Sequence, residues 1–388
     1  MTEHQPNTPP RQENDSLTSV SDTRPGSDHG LIKAVSGYGR ELFFSNIIDY
    51  IANHCPEVIA SALHEFLPAS GFDKVERENR HMDLVFFGRD ANQSIPVLVV
   101  ENKRGSIATE KQLQEYIKKI SGNKGNKIGK NSGCSFLLIS PHRFDKDVAD
   151  RAGWSFMGYK DLGQRLDSAL KVYAEKNSGY SDTLQYKLLK AAIEYMPFLE
   201  EESTSIYVGV KSDTKCSELR NQDDSSDAIK LRYCAVAHML KDRLKEEGVI
   251  GVACSFDSGS TLPMANVEVK DFLEIGNDKL TFILSFQGEV LSIGFFQEGH
   301  FAKLDNKDKK ESRKEMWRIH NFAEILQQIT DRPEGFDDYK GTGYMTSGYI
   351  LPMYRIDMRD KTVDEILDTM CRYAKGALAY RQNISTNP

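Results

Sequence analysis

Two apolar runs joined by a short polar stretch constrain this chain more than any other feature. Residues 81–87 (His-Met-Asp-Leu-Val-Phe-Phe) and 95–103 (Ile-Pro-Val-Leu-Val-Val-Glu-Asn-Lys) each read as a β-strand, and the polar residues 89–94 turn between them. A hairpin folded about Asn92 sets Asp83 opposite Glu101. Directly opposed side chains in an antiparallel pair stand about 4.5–5.5 Å apart at Cβ, close enough for two carboxylates to share a metal ion. Strand side chains alternate faces, so Glu101 and Lys103 project together while Asn102 points away. A solvated ion pair at a sheet edge is the competing reading of the three residues, and a slip of one residue in register would separate them.

The flanking segments extend the pattern. A helix is expected over 39–66, where Phe44, Ile47, Ile48 and Ile51 fall at helical spacing. Glu41 lies on the same stripe, where an acid needs a partner or a task; the alternative is a first-turn Glu favoured by the helix dipole. A second amphipathic helix is expected over 109–120, with Gln112 and Tyr116 neighbours on one face. A short buried strand over 134–140, a further strand over 154–159, and helices over 161–176 and 181–201 follow. This succession describes an α/β unit built on a mixed sheet flanked by helices.

The rest of the 388 residues reads as a second, α+β unit. Residues 211–227 lack an apolar run. Helices are expected over 228–247, 307–329 and 363–380, and strands over 267–275, 279–286, 290–296 and 350–356. The expected division is a disordered tail over 1–30, a first domain over 31–205, a linker over 206–227 and a second domain over 228–388. The tail has no aromatic residue and no apolar core of the kind a secretory signal carries, and no apolar run reaches the roughly 18 residues that span a bilayer. A cytoplasmic protein without a membrane partner is the expectation. Six scattered cysteines and nine histidines show neither zinc nor disulfide spacing.

A net charge of −7 argues against wholesale coating of nucleic acid, yet 102–130 holds eight basic residues against two acids, a local +6. Such an island beside a carboxylate cluster points to localised contact with a polyanion, a solvated lysine-rich face being the alternative. Lys119, Lys124, Lys127 and Lys130 are its candidate contacts, the last three in a glycine-rich loop.

Over about 36–170 the chain resembles the PD-(D/E)XK nuclease superfamily. The matching pieces are Glu41 on the first helix, Asp83 on the second strand, and Glu101-Asn102-Lys103 closing the third. Gln112-Leu113 with Tyr116, the strand ending in Ser140-Pro141, and Trp154 with the stretch 158–162 extend the match. Met82 stands where many members have Pro. The resemblance implies a restriction-endonuclease-like core and hydrolysis of phosphodiester bonds in nucleic acid, with DNA ahead of RNA. It implies Mg²⁺ or Mn²⁺ held by Asp83, Glu101 and the backbone carbonyl of Asn102. Lys103, Glu41 and Gln112 are then further members of the catalytic set, and endonucleolytic DNA processing or defence against foreign DNA is the implied setting. A catalytically inactive nucleic-acid-binding or regulatory subunit on the same fold is the alternative. Residues 228–388 are expected to serve assembly, as a homo-oligomer, or control through a regulatory partner.

Overall fold

The structure, a computed structural model, describes residues 30–79, 82–90, 93–104, 107–121, 133–221, 224–257, 262–275, 278–298, 322–330, 337–338 and 349–386. The first unit opens with helices α1 (Gly30–His54) and α2 (Pro56–Ala62). Sequence periodicity suggested one helix over 39–66; Pro56 divides it, because proline has no N–H to continue the ladder and is accommodated at the first turn of a new helix. Of the tail expected over 1–30, only Gly30 falls within the described residues, and it already lies in α1.

Five strands follow, in spatial order β1 (Lys74–Asn79), β2 (Met82–Asp90), β3 (Gln93–Asn102), β4 (Ser135–Ser140) and β5 (Ser155–Gly158). β1–β2–β3 pair antiparallel, whereas β3–β4–β5 pair parallel, so the sheet is mixed. Helix α3 (Glu110–Ser121) crosses from β3 to β4, and α4 (Asp145–Ala152) from β4 to β5. Helices α5 (Tyr159–Lys176) and α6 (Leu184–Gly209) complete the unit. The sheet is covered on both faces, which explains why Val97, Leu98, Val99 and Val100 are buried in one unbroken apolar run. Leu98 and Val100 pack toward α1, α2, α5 and α6, while Val99 packs toward α3 and α4.

In the first unit, β1 and α4 were not expected from the sequence. β1 is mostly charged and buries only Val75, which an edge strand tolerates; among the described residues β2 is its one strand neighbour. α4 has only eight residues, too few for its apolar stripe to stand out. The hairpin is also tighter than expected: β2 and β3 pair as far as Asp90 and Gln93, leaving two residues outside the described set between them.

The second unit holds α7 (Ser226–Glu246) and a six-stranded antiparallel sheet. Its strands are β6 (Ala253–Asp257), β7 (Met264–Ile275), β8 (Asp278–Gln287), β9 (Val290–Glu298), β10 (Asp337–Asp338) and β11 (Tyr349–Asp357), ordered β10-β11-β9-β8-β7-β6. Helices α8 (Phe322–Thr330) and α9 (Val363–Thr386) pack with α7 on its core. Of the helix expected over 307–329, only 322–329 falls within the described residues. The stretch read as a linker carries structure: α6 runs on to Gly209, and Cys216 and Leu219 of the 3₁₀ turn Cys216–Leu219 are buried in the second core. All six cysteines are free, and burial pushes the Cys216 thiol up to about 12.

Candidate active site

The parallel strands β3, β4 and β5 end on one side of the sheet, the edge at which open α/β sheets present their sites. The register at this end is Leu84 with Val100 and Val85 with Val99, so one further step sets Asp83 against Glu101. Near the turn, pairs run Phe87–Pro96 and Gly88–Ile95; the register shifts by one between Phe86 and Phe87, leaving Val97 as the additional residue of a bulge. That bulge offsets the turn position and brings the two carboxylates to opposed places.

Asp83 Oδ2 accepts a hydrogen bond from the Asn102 backbone N–H at 2.7 Å. Glu101 Oε1 receives the Lys103 ammonium at 2.7 Å and the Gln112 side-chain amide at 3.0 Å. Glu101 and Lys103 are 2 % and 6 % exposed, so this is a buried ion pair, an arrangement that costs desolvation of both partners. Gln112 also donates to the Tyr116 hydroxyl at 2.9 Å, one helical turn further along α3. Burial raises the Tyr116 phenol above its ordinary range, helped by the charges of Glu101 and Asp83 and opposed by Gln112 and Lys103. One hydroxyl thus senses all three residues of the motif. The Lys119 ammonium lies 5.1 Å from the Tyr116 ring centroid, on the same side of α3.

Asn102 points the other way, as strand alternation requires. Its side-chain amide donates to Ser45 Oγ on α1 at 3.1 Å, and its carbonyl oxygen accepts from the Tyr159 hydroxyl of α5 at 2.9 Å, all within the core. The Lys103 N–H donates to Ile139 O on β4 at 2.8 Å. The turn between Glu101 and Lys103 is therefore held from α1, β2, β4 and α5 at once. Glu41 lies on α1, one turn before Ser45, but its side chain is outside the described residues, as are Lys124, Lys127 and Lys130.

Sequence reading missed a second polar layer. Buried Asp145, first residue of α4, accepts from Ser140 Oγ at 2.7 Å and from Ala108 N at 3.3 Å. His142 N donates to Ser140 Oγ at 3.0 Å, and His142 Nδ1 lies 2.6 Å from Ser203 Oγ on α6. Burial pushes Asp145 up to about 7 and His142 down to about 3. The signal was a Ser, a His and an Asp clustered after a buried strand, without the regular spacing that marks a motif.

The donors fit a hard divalent ion. Two opposed carboxylates with the Asn102 backbone beside them offer oxygen only, and Mg²⁺ is commonly held by one or two carboxylates while it keeps several waters. Among the described residues no group of three or more His, Cys, Asp and Glu side chains forms a metal cage.

Fold and site together define an α/β protein with two carboxylates and a lysine at the carboxyl edge of a mixed sheet. A model of the PD-(D/E)XK nuclease superfamily matches residues 32–188, from α1 into α6. No curated protein and no solved structure matches the chain. Among the described residues no helix is long and apolar enough to cross a membrane.

Proposed function

We propose that this chain is a metal-dependent nuclease that hydrolyses phosphodiester bonds, with DNA the preferred substrate. The observations that carry the reading are the Asp83–Asn102 hydrogen bond and the buried Glu101–Lys103 ion pair at one end of a sheet, in a segment that a nuclease-superfamily model matches. Asp83, Glu101 and the Asn102 carbonyl would hold Mg²⁺ or Mn²⁺. The ion supplies a bound water of lowered pKa and charge neutralisation at the phosphate. Lys103, placed beside Glu101, acts on the developing negative charge of the transition state. Gln112 keeps the Glu101 carboxylate oriented, and Glu41 adds a further acid from α1, one turn from the residue that anchors Asn102. Lys119, with Lys124, Lys127 and Lys130, contacts the nucleic-acid backbone. The +6 balance over 102–130 in a chain of net −7 supports that placement.

The test is incubation of purified protein with closed circular and linear DNA and with RNA, each with Mg²⁺, Mn²⁺ or EDTA. Metal-dependent nicking of closed circles is the expected result and marks an endonuclease. Binding of DNA without cleavage under every metal condition would favour an inactive binding module on the same fold.

A further inference from the structure

A cavity of about 330 Å³ opens between the ends of β3 and β4, the second half of α6 and the first turns of α7. That volume lies at the small end of the roughly 300–1,000 Å³ that pockets for small organic molecules occupy. Asp83, Glu101 and Lys103 are not among the described residues that line it. Its floor is buried and largely apolar: Pro141 follows β4, Leu199 comes from α6 and Leu231 from α7. One polar ring stands among them. His142 is 2 % exposed, and its Nδ1 lies 2.6 Å from the hydroxyl of Ser203, which also lines the cavity. Among the described residues Nε2 has no hydrogen-bond partner; the Arg104 backbone acts on the ring without closing a hydrogen bond to that atom. A buried polar atom without a partner costs free energy that a bound group can recover. Because the Ser203 hydroxyl can donate to Nδ1 or accept from it, Nε2 can serve a ligand as donor or as acceptor.

The rim carries charges of both signs. Arg104, half-buried just past β3, brings a guanidinium; Glu202 adds an exposed carboxylate from α6, and Asp227 a half-buried one from the first turn of α7. A simple anion would face two carboxylates against one guanidinium, and a hydrocarbon would leave Nε2 unpaired. A heterocycle bearing a hydroxylated sugar answers each part. Its ring suits Leu199 and Leu231, with a ring nitrogen or exocyclic amine at His142 Nε2. Its sugar hydroxyls suit Glu202 and Asp227, since carboxylates are the usual acceptors for ribose hydroxyls. A guanidinium at the rim suits a phosphate on that sugar. We propose that this cavity binds a nucleoside, free or as its 5′-monophosphate, at the junction of the two units. An occupant would tie α7 to the ends of β3 and β4, beside the residue that follows Lys103 in the chain. Binding there needs neither the metal nor cleavage.

The experiment is calorimetric titration of the full chain, in EDTA, with adenosine, guanosine, cytidine and uridine and with their 5′-monophosphates. Saturable one-to-one binding of at least one of these probes is expected. Glu202→Gln, an exposed change that folding should tolerate, should weaken that binding about 10-fold, the order of one hydrogen bond to a charged group. His142→Phe, which leaves the ring edge without a partner, should weaken it by a similar factor; if that variant does not fold, Glu202→Gln alone decides. A monophosphate that binds more tightly than its nucleoside, with the difference lost in Arg104→Met, supports the nucleotide as occupant, and equal binding supports the free nucleoside. Absence of binding by every probe overturns the proposal, and so does wild-type affinity in either folded variant, which would put the binding elsewhere. None of these outcomes bears on the nuclease reading, which stands or falls on cleavage.

Discussion

Asn102 shows how a residue between two functional ones can matter through the opposite face. Its side-chain amide donates to the Ser45 hydroxyl of α1 and its carbonyl oxygen accepts from the Tyr159 hydroxyl of α5, so one side chain ties β3 to both helices. Asn102→Ala leaves both hydroxyls buried without this partner and should cost about 1–3 kcal/mol of stability, measured by urea denaturation, with cleavage falling because the Glu101–Lys103 corner loses its anchor. Two other buried groups set opposite pH dependences. His142 is held at about 3 against an ordinary 6.5, so the unfolded chain takes up its proton first and stability is lost as pH falls from about 6.5 toward 3. His142→Gln should remove that acid sensitivity. Asp145 is raised from 3.8 to about 7, so the folded chain holds its proton more tightly, and this contribution is lost as pH rises from about 4 to 7. Denaturation at a series of pH values should show Asp145→Asn gaining on wild type across that interval and levelling above it. The sequence exposed Asp83, Glu101 and Lys103 because they interrupt or end apolar runs, and period-2 alternation correctly separated Asn102 from them. It concealed Asp145 and His142, whose burial follows from tertiary packing alone.

At the level of elements, the hairpin and the helix pair α5–α6 place the site. Strand pairing was legible in the apolar pattern, but the register shift at Val97 was not, because a bulge leaves no mark on hydrophobicity. Pro56 was visible in the sequence, yet the strong stripe from Phe44 to Ile51 masked its effect on the helix. Where α5 meets α6, Gly163 lies against Pro197 and the carbonyl of Ile193: a Cβ at Gly163 would stand 3.1 Å from Ile193 O and 3.2 Å from Pro197 Cδ. Proline at 197 has no N–H for that carbonyl, and the missing side chain at 163 lets the helices approach there. Gly163→Ala should therefore force the pair apart and lower stability by about 1–3 kcal/mol, as overpacking does, despite alanine's better helix propensity. A melting temperature raised by this change would show that the helices have room to spare.

Across the whole molecule, the two units meet at the β4–α4 turn. Phe144 stacks on His142 with ring centroids 5.4 Å apart, packs on Tyr207 of α6 at 4.8 Å and meets His238 of α7 edge-on at 5.2 Å. The Tyr207 hydroxyl lies 2.7 Å from His238 Nδ1. Glu200 of α6 adds Arg143 at 3.0 Å and the Lys160 N–H at 2.8 Å. Since α6 contributes Leu189 to Leu199 to the first core and carries Tyr207 against the second, the units share an element as well as a contact. Phe144 is half-buried, so Phe144→Ala should remove the wedge at a cost of about 1–3 kcal/mol, less than for a core phenylalanine. Calorimetry should then resolve two melting transitions where wild type shows one. The two-unit division could be drawn from composition, whereas this contact could not, since Phe144 lies in a turn with no periodicity to mark it.

The central claim is that Asp83 and Glu101 anchor the catalytic ion of a nuclease. Cleavage of closed circular DNA by Asp83→Ala, compared with wild type at matched Mg²⁺ and with folding verified by melting temperature, addresses it most directly. Removing one of two close carboxylates relieves like-charge repulsion, so the variant should fold with near-wild-type stability and lose cleavage below detection. A properly folded Asp83→Ala protein that cuts DNA at the wild-type rate would contradict the account.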